Sequence, residues 1–126
     1  MGSSYRDLTV WQRSIDLSVA IYDLTGKFPT DELYGLTSQL RRAAVSVPSN
    51  IAEGYGRASR QDYRRFVSMA RGSALEVQTQ LIIAMKLGYA TENRMKPLQA
   101  LVDEIAKMLW ALMEKLQGNR RLIAEY

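Results

Sequence analysis

Gln39-Leu40-Arg41-Arg42-Ala43-Ala44-Val45-Ser46-Val47-Pro48-Ser49-Asn50-Ile51-Ala52-Glu53-Gly54-Tyr55-Gly56-Arg57 is the stretch on which the fold turns. Leu40, Ala44, Val47 and Ile51 recur at the helical spacing of four, three and four. That spacing passes straight through Pro48. A proline lacks the N–H of the helix ladder and its ring crowds the carbonyl four residues back, at a cost of about 3 kcal/mol in a helix interior. The unbroken stripe nevertheless predicts one helix kinked at Pro48, with Ser46 and Ser49 placed to satisfy the freed backbone groups. Gly54 and Gly56 predict the turn that follows. They are too short a motif, and lack the lysine, for a phosphate-binding loop, so they read as caps.

Working outward, the preceding part of this helix begins at Thr30, with Asp31 and Glu32 complementing the dipole of its first turn. Its stripe starts at Leu33 and Leu36. An earlier helix begins at Thr9, three residues before Gln12, the capping-box spacing. It buries Val10, Ser14, Leu17, Ile21 and Leu24, and Gly26 is expected as a left-handed cap ahead of Phe28-Pro29. A third helix starts at Ser59, with Asp62 as a short version of the same box, and ends at Gly88. Its core face is Tyr63, Phe66, Val67, Ala70, Ala74, Val77, Leu81 and Met85. The small pair Gly72-Ser73 predicts a closely approaching helix. A fourth opens near Thr91, with Pro97 placed to delay its regular part, and repeats at Met95, Leu98, Val102, Ile105, Leu109, Leu112 and Leu116 before Gly118. Four amphipathic helices on short turns predict an all-α fold, an antiparallel up-down four-helix bundle. The chain reads as a single domain over 1–126, with an ordered core of about 7–117 and a flexible C-terminal tail. Met1-Gly2-Ser3-Ser4 is given no structural weight.

Composition narrows the function classes. With 126 residues, 47% of them hydrophobic and 24% charged, the chain is globular and long enough to form a core without staples. It has no cysteine, which removes disulfides and thiolate chemistry. It has no histidine, which removes the commonest general base and metal ligand and any Ser-His triad. The Glu-x-x-His pairs of di-iron bundles are excluded with it. Glu76, Asp103 and Glu104 have no metal-site spacing, and Asp103 with Lys107 reads as an ordinary i,i+4 pair. No cofactor is expected. Neither a membrane-spanning run nor a signal peptide is found, so a cytoplasmic protein is expected.

Two of the helices carry more apolar surface than one core face needs. Leu101, Met108, Ala106 and Trp110 widen the fourth to roughly 200° of the wheel, against the ~100° stripe of a surface helix. Leu75, Ile82 and Ile83 do the same for the third. Scattered exposed apolar residues are common on monomers, but wide patches mark interfaces. Leu75, Ile82, Ile83, Leu101, Met108 and Trp110 are therefore the candidate oligomer contacts.

Net charge is +4 and the pI is near 9.5. Arg41, Arg42, Arg57, Arg60, Arg64, Arg65 and Arg71 stand within one segment that contains only two acids, Glu53 and Asp62. Arg60, Arg64 and Arg71 share a flank of the third helix. Guanidinium forks suit phosphate, and Arg57 beside the amides opening that helix could add an anion site. These seven are the candidate nucleic-acid contacts. Equally, arginines on helices ordinarily form a solvated face or pair with acids on a neighbouring helix or subunit. Tyr34, Tyr55 and Tyr63 could stack on bases, though aromatics at helix ends more often pack. Glu53, near Pro48 and Asn50, is the best candidate for a buried polar group, with a structural role in the kink.

Leu8-Thr9-Val10-Trp11-Gln12, Phe28-Pro29, Glu32-Leu33-Tyr34-Gly35-Leu36 and the run from Gln39 through Gly54 resemble the bacterial four-helix-bundle proteins, also known as the 23S rRNA intervening-sequence proteins. Arg65-Phe66, Ala70-Arg71-Gly72-Ser73, Glu76, Gln80-Leu81 and Leu87-Gly88 continue the match, which spans residues 8–116. The resemblance implies an up-down bundle assembled as a ring-shaped homopentamer of unestablished activity. The family is in turn distantly similar to the accessory protein of diversity-generating retroelements, which implies nucleic acid and a reverse transcriptase as partners. No catalytic residue carries over. Pro48, Asn50, Glu53, Gly54, Arg41, Arg42 and Arg57 match as motif positions, while Arg120-Arg121 lies outside the pattern. The expectation is a non-enzymatic homo-oligomer that presents arginines to RNA or DNA. The alternative is a protein-interaction scaffold without nucleic-acid binding.

Overall fold

The computed structural model describes residues 4–118. The expected fraying of 119–126 lies outside the described residues. Among the described residues four α-helices make up the fold: α1 (Thr9–Thr25), α2 (Leu36–Tyr55), α3 (Arg60–Lys86) and α4 (Glu92–Leu116). Single 3-10 turns at Tyr5–Asp7 and Thr30–Glu32 precede α1 and α2. Each helix packs on the next in sequence and α1 closes against α4, while no close backbone approach joins the diagonal pairs among the described residues. Contacts between neighbours run in opposite directions along the two helices. Ser18 meets Ala44 and Thr25 meets Arg41 across α1 and α2. Ser46 meets Ser73 and Gln39 meets Gln80 across α2 and α3. Arg60 reaches Lys115 and Gln78 reaches Asp103 across α3 and α4. Arg13–Glu104 and Arg94–Asp23 tie α4 back to α1.

The apolar stripes meet along the axis of this bundle. Leu17, Ile21, Leu40, Val47, Ile51, Val67, Leu81, Ile105 and Leu109 are fully buried. A fully buried aliphatic side chain contributes roughly 1.5–3 kcal/mol relative to exposure, so this shared core, not helix propensity, holds the elements.

Caps explain where the helices stop. Ser59 accepts from the Asp62 amide, as their spacing predicted, and Thr91, near which the fourth helix was expected to open, accepts from the Arg94 amide. Gly88, at φ +80°, ends α3. Its N–H donates to the Met85 carbonyl and that of Tyr89 to the Ala84 carbonyl, the paired bonds of a Schellman cap. Pro97 lies inside α4 without delaying it.

The structure corrects other expectations. The capping box belongs to Ser4 and Asp7, which close the first 3-10 turn. Leu8 occupies the N-cap of α1 with no side-chain bond, and Gln12 reaches back to the Arg6 carbonyl instead. Gly26 is right-handed, at φ −61°. Thr30 starts a 3-10 turn and not α2. The Glu32 carboxylate reaches forward 2.9 Å to the Leu36 N–H, through the space that a Cβ on Gly35 would occupy, 2.6 Å from Oε1. Leu33 is consequently exposed and no part of the core.

Helix α2 runs unbroken through Pro48. The carbonyl that Pro48 leaves without its ladder donor is that of Ala44, and neither Ser46 nor Ser49 supplies the replacement. Ser18 on α1 does, at 3.0 Å. Ser46 is engaged by Ser73 at 2.8 Å and by the Asn50 amide. Gly54 is buried within α2 and is not its cap; Gly56 takes that place. Of the pair Gly72-Ser73, Ser73 meets α2, while a Cβ on Gly72 would find nothing within 4 Å. The close approach falls at Gly54, where a Cβ would lie 2.6 Å from the Cβ of Phe66.

Candidate functional site

The arginines of α3 lie beside the end of α4 because the two helices run in opposite directions. A helix end leaves its last four carbonyls without intrahelical partners. Arg64 donates its Nε to the Met113 carbonyl at 3.1 Å and a terminal nitrogen to Gln117 Oε1 at 2.8 Å. Arg60 donates to the Lys115 carbonyl at 3.0 Å. Both guanidinium groups thus cap α4 where its dipole favours a cation. Arg71 lies over the Trp110 ring, 5.0 Å from the centroid.

Nearer the α2–α3 turn, Arg57 pairs with Glu53 at 3.0 Å and Arg65 with Asp62 at 3.2 Å. Both also sit over the Phe66 ring, at 4.6 and 4.7 Å. The exposed Glu53 is therefore a surface ion-pair partner rather than a buried polar group. At the opening of α3, where an anion site with Arg57 was expected, the Ser59 hydroxyl takes the Asp62 amide and the Asp62 carboxylate is turned onto Arg65. Tyr63 packs edge-on against Tyr55. Burial first, and the neighbouring Tyr55 second, push its phenol up to about 12. Asp103 takes its hydrogen bond from Gln78 across the helix pair, at 2.6 Å, and not from Lys107.

Arg41 donates its Nε to Thr25 Oγ1 at 2.8 Å, with its guanidinium 4.5 Å from the Tyr22 ring centroid. Arg42 is exposed and makes no hydrogen bond or ion pair among the described residues. Six of the seven arginines therefore have partners within the chain. Arg57, Arg60, Arg64 and Arg65 lie about the α2–α3 turn and the end of α4, Arg71 lies farther along α3 against Trp110, and Arg41 lies on α2 against α1.

Leu75, Ile82, Ile83 and Trp110 are between 38% and 48% exposed, joined by Met69, which the sequence reading did not single out. Leu101 and Met108 are half-buried and pack against the core of their own bundle. Leu75 and Trp110 flank a groove of about 370 Å³ between α3 and α4, with Arg71, Gln78 and Asp103 on its walls. The Nε of Arg71 is buried without a hydrogen-bond partner. Gly72 adds open space one residue further along the same helix.

At the α1–α2 junction, Glu32 bonds the Tyr89 hydroxyl at 2.7 Å as well as the Leu36 N–H. The Leu36 amide first, then the Tyr89 hydroxyl, hold its carboxyl below the usual carboxylate range. The Glu32 hydrogen bond pushes the Tyr89 phenol up.

Among the described residues, no group of acidic side chains is arranged to hold a metal ion, and no helix is long and apolar enough to cross a membrane. The molecule belongs to the class of all-α four-helix bundles. Residues 6–111 match the family of the 23S rRNA-intervening sequence protein, and the chain belongs to that family. It is also similar to the crystal structure of a protein of unknown function from the S23 ribosomal protein family of Bacteroides thetaiotaomicron. That similarity has a TM-score of 0.77 at 25% identity and covers 84% of this chain and 99% of the other. No curated protein matches the chain.

Proposed function

We propose that this chain is a non-enzymatic homo-oligomer that engages RNA or DNA through arginines on its assembled surface. The observation that carries the assembly is the α3–α4 face. Met69, Leu75, Ile82, Ile83 and Trp110 stand in water in a single bundle, and Leu75 and Trp110 flank a groove whose wall holds the unbonded Nε of Arg71. Apolar side chains repeated along one helix beside an open glycine suit a packing helix. A buried donor costs free energy until an acceptor reaches it. A sister subunit answers both needs.

Support for an anionic partner is the net charge of +4 and the cluster of arginines against two acids. A scaffold that binds only protein is favoured by the number of those arginines already engaged within the chain, above all Arg60 and Arg64 at the end of α4. Sedimentation equilibrium separates the assembly claim from its opposite. The wild type is expected at a multiple of the 14.3 kDa chain mass, and at five times that mass for the ring the family resemblance implies. Leu75→Glu with Ile82→Glu is expected to reduce it to a monomer. A wild-type monomer at micromolar concentration refutes the assembly. An RNA titration at low salt then decides between nucleic acid and the protein-only scaffold.

A further inference from the structure

We infer that the α1–α2 end of the bundle is a site for single-stranded nucleic acid, with Tyr34 as the base-stacking platform and Arg42 as the phosphate contact. The inference rests on the nucleic-acid reading above and specifies its surface and the form of its ligand. Tyr34 is 94% exposed, on the short segment between the 3-10 turn Thr30–Glu32 and α2. Arg42 has no partner among the described residues. The two side chains line a pair of adjoining depressions, one of about 290 Å³ and one of about 490 Å³.

The smaller depression is completed by Tyr22, Leu33 and Arg41. Tyr22 and Leu33 are each about half exposed. Arg41 uses its Nε on Thr25 and stacks on Tyr22, which fixes the plane of its guanidinium and leaves its terminal amino groups for an outside acceptor. The larger depression includes Gln80, whose buried Oε1 lacks a donor. Two guanidinium forks beside the open ring of Tyr34 are the combination that holds an unpaired strand: forks on phosphates, the ring on a base.

The acids of this end are largely occupied. Glu32 is turned onto the Leu36 amide and Tyr89, and Asp23 is paired with Arg94. Asp31 and Glu76 remain to moderate the positive field. A duplex keeps its base faces stacked inside and offers only phosphates and groove edges, so a fully open tyrosine ring gains nothing from it. An unpaired strand can use both features. Leu75, Ile82 and Trp110 line neither depression, so the site does not compete with the proposed subunit contact.

The test is fluorescence anisotropy on the full chain, using labelled oligouridine of about 20 nucleotides, longer than the ~4–16 that a comparable site covers. Oligothymidine and an RNA duplex of equal length serve as further probes. Tight binding of the single strands over the duplex is expected. Arg42→Ala and Tyr34→Ala are each expected to weaken binding about tenfold, and Tyr34→Phe to retain it. Arg42→Ala should also lower the slope of log affinity against log salt by about 0.7, the share of one phosphate contact on a single strand. Oligouridine and oligothymidine binding alike indicates a strand reader indifferent to the 2′-hydroxyl. Binding that ignores both alanine substitutions, or a duplex held as tightly as a strand, overturns this site while nucleic-acid binding itself stands. No binding of any probe at low salt overturns both.

Discussion

The Ser18 hydroxyl of α1 lies 3.0 Å from the carbonyl of Ala44 on α2, the acceptor that Pro48 deprives of its ladder donor. The same hydroxyl is 3.1 Å from the Ser14 carbonyl, so its one proton is shared between the two helices. A buried proline inside a helix is thus accommodated by the neighbouring helix. Ser18→Ala leaves the Ala44 carbonyl without a donor and is expected to destabilise the fold by about 1–3 kcal/mol. Pro48→Ala restores an N–H to that carbonyl. In the Pro48→Ala background, Ser18→Ala should therefore cost much less, and a double-mutant cycle by urea unfolding measures the difference. Equal costs in both backgrounds would show that the hydroxyl does not serve the proline.

Two helical glycines predict opposite signs for one substitution. Alanine at Gly54 places its Cβ 2.6 Å from the Phe66 Cβ and 3.1 Å from the Tyr63 ring, a backbone-anchored clash on one side. Overpacking of this kind costs about 1–3 kcal/mol and exceeds the gain in helix propensity. At Gly72 nothing lies within 4 Å. There Gly72→Ala should raise the stability of the isolated bundle by about 0.5–1 kcal/mol. Thermal melts of the two variants on a monomeric background, Leu75→Glu with Ile82→Glu, provide the comparison.

Arg64 is expected to act on stability before it acts on any ligand. Arg64→Ala removes the donors that close the Met113 carbonyl and Gln117. The loss should be about 1–2 kcal/mol, held to the low end of charged hydrogen bonds by partial exposure. Arg64→Lys keeps the charge but not the fork, and should recover only part of it. Faster amide exchange confined to the last turn of α4 would mark the effect as loss of a cap. Unchanged melting and exchange would return Arg64 to the pool of free cations.

What was legible in the sequence is what depends on one helix at a time. The stripes through Leu40, Val67 and Leu109, the cap at Ser59, the start near Thr91 and the stop at Gly88 all follow from signals within a few residues. The errors over which side chain serves which carbonyl share one cause. Ser18 serving Ala44 and Arg64 serving Met113 depend on the register between two helices, which no single stripe encodes. The start of α2 was hidden because Glu32 caps from four residues ahead, through room left by Gly35, and so resembles a first-turn acid. The arginine cluster was visible as charge, but its division into α4 caps, ring-stacked pairs and the free Arg42 required the neighbours to be placed.

Glu32 and Tyr89 make stability fall at both ends of the pH range, in directions set by their shifts. The Glu32 carboxyl is held below its usual value, chiefly by the Leu36 amide. Its contribution is therefore present above the ordinary carboxylate pKa of about 4.3 and lost as pH falls through the lowered folded value. The Tyr89 phenol is pushed up by its bond to Glu32, and Tyr63 by burial to about 12. Their contributions are complete below about 10, the ordinary phenol value, and are lost as pH rises towards the folded values. Glu32→Gln keeps much of the shape but removes the charge, so it should flatten the Glu32 share of the acid limb and weaken the hold on Tyr89. Tyr89→Phe should leave most of that acid limb, because the Leu36 amide still bonds the carboxylate. Urea midpoints followed from about pH 3 to pH 6, and again above pH 9, read both limbs. An acid limb identical in wild type and Glu32→Gln would mean that the carboxylate at the start of α2 is not what holds that end of the helix.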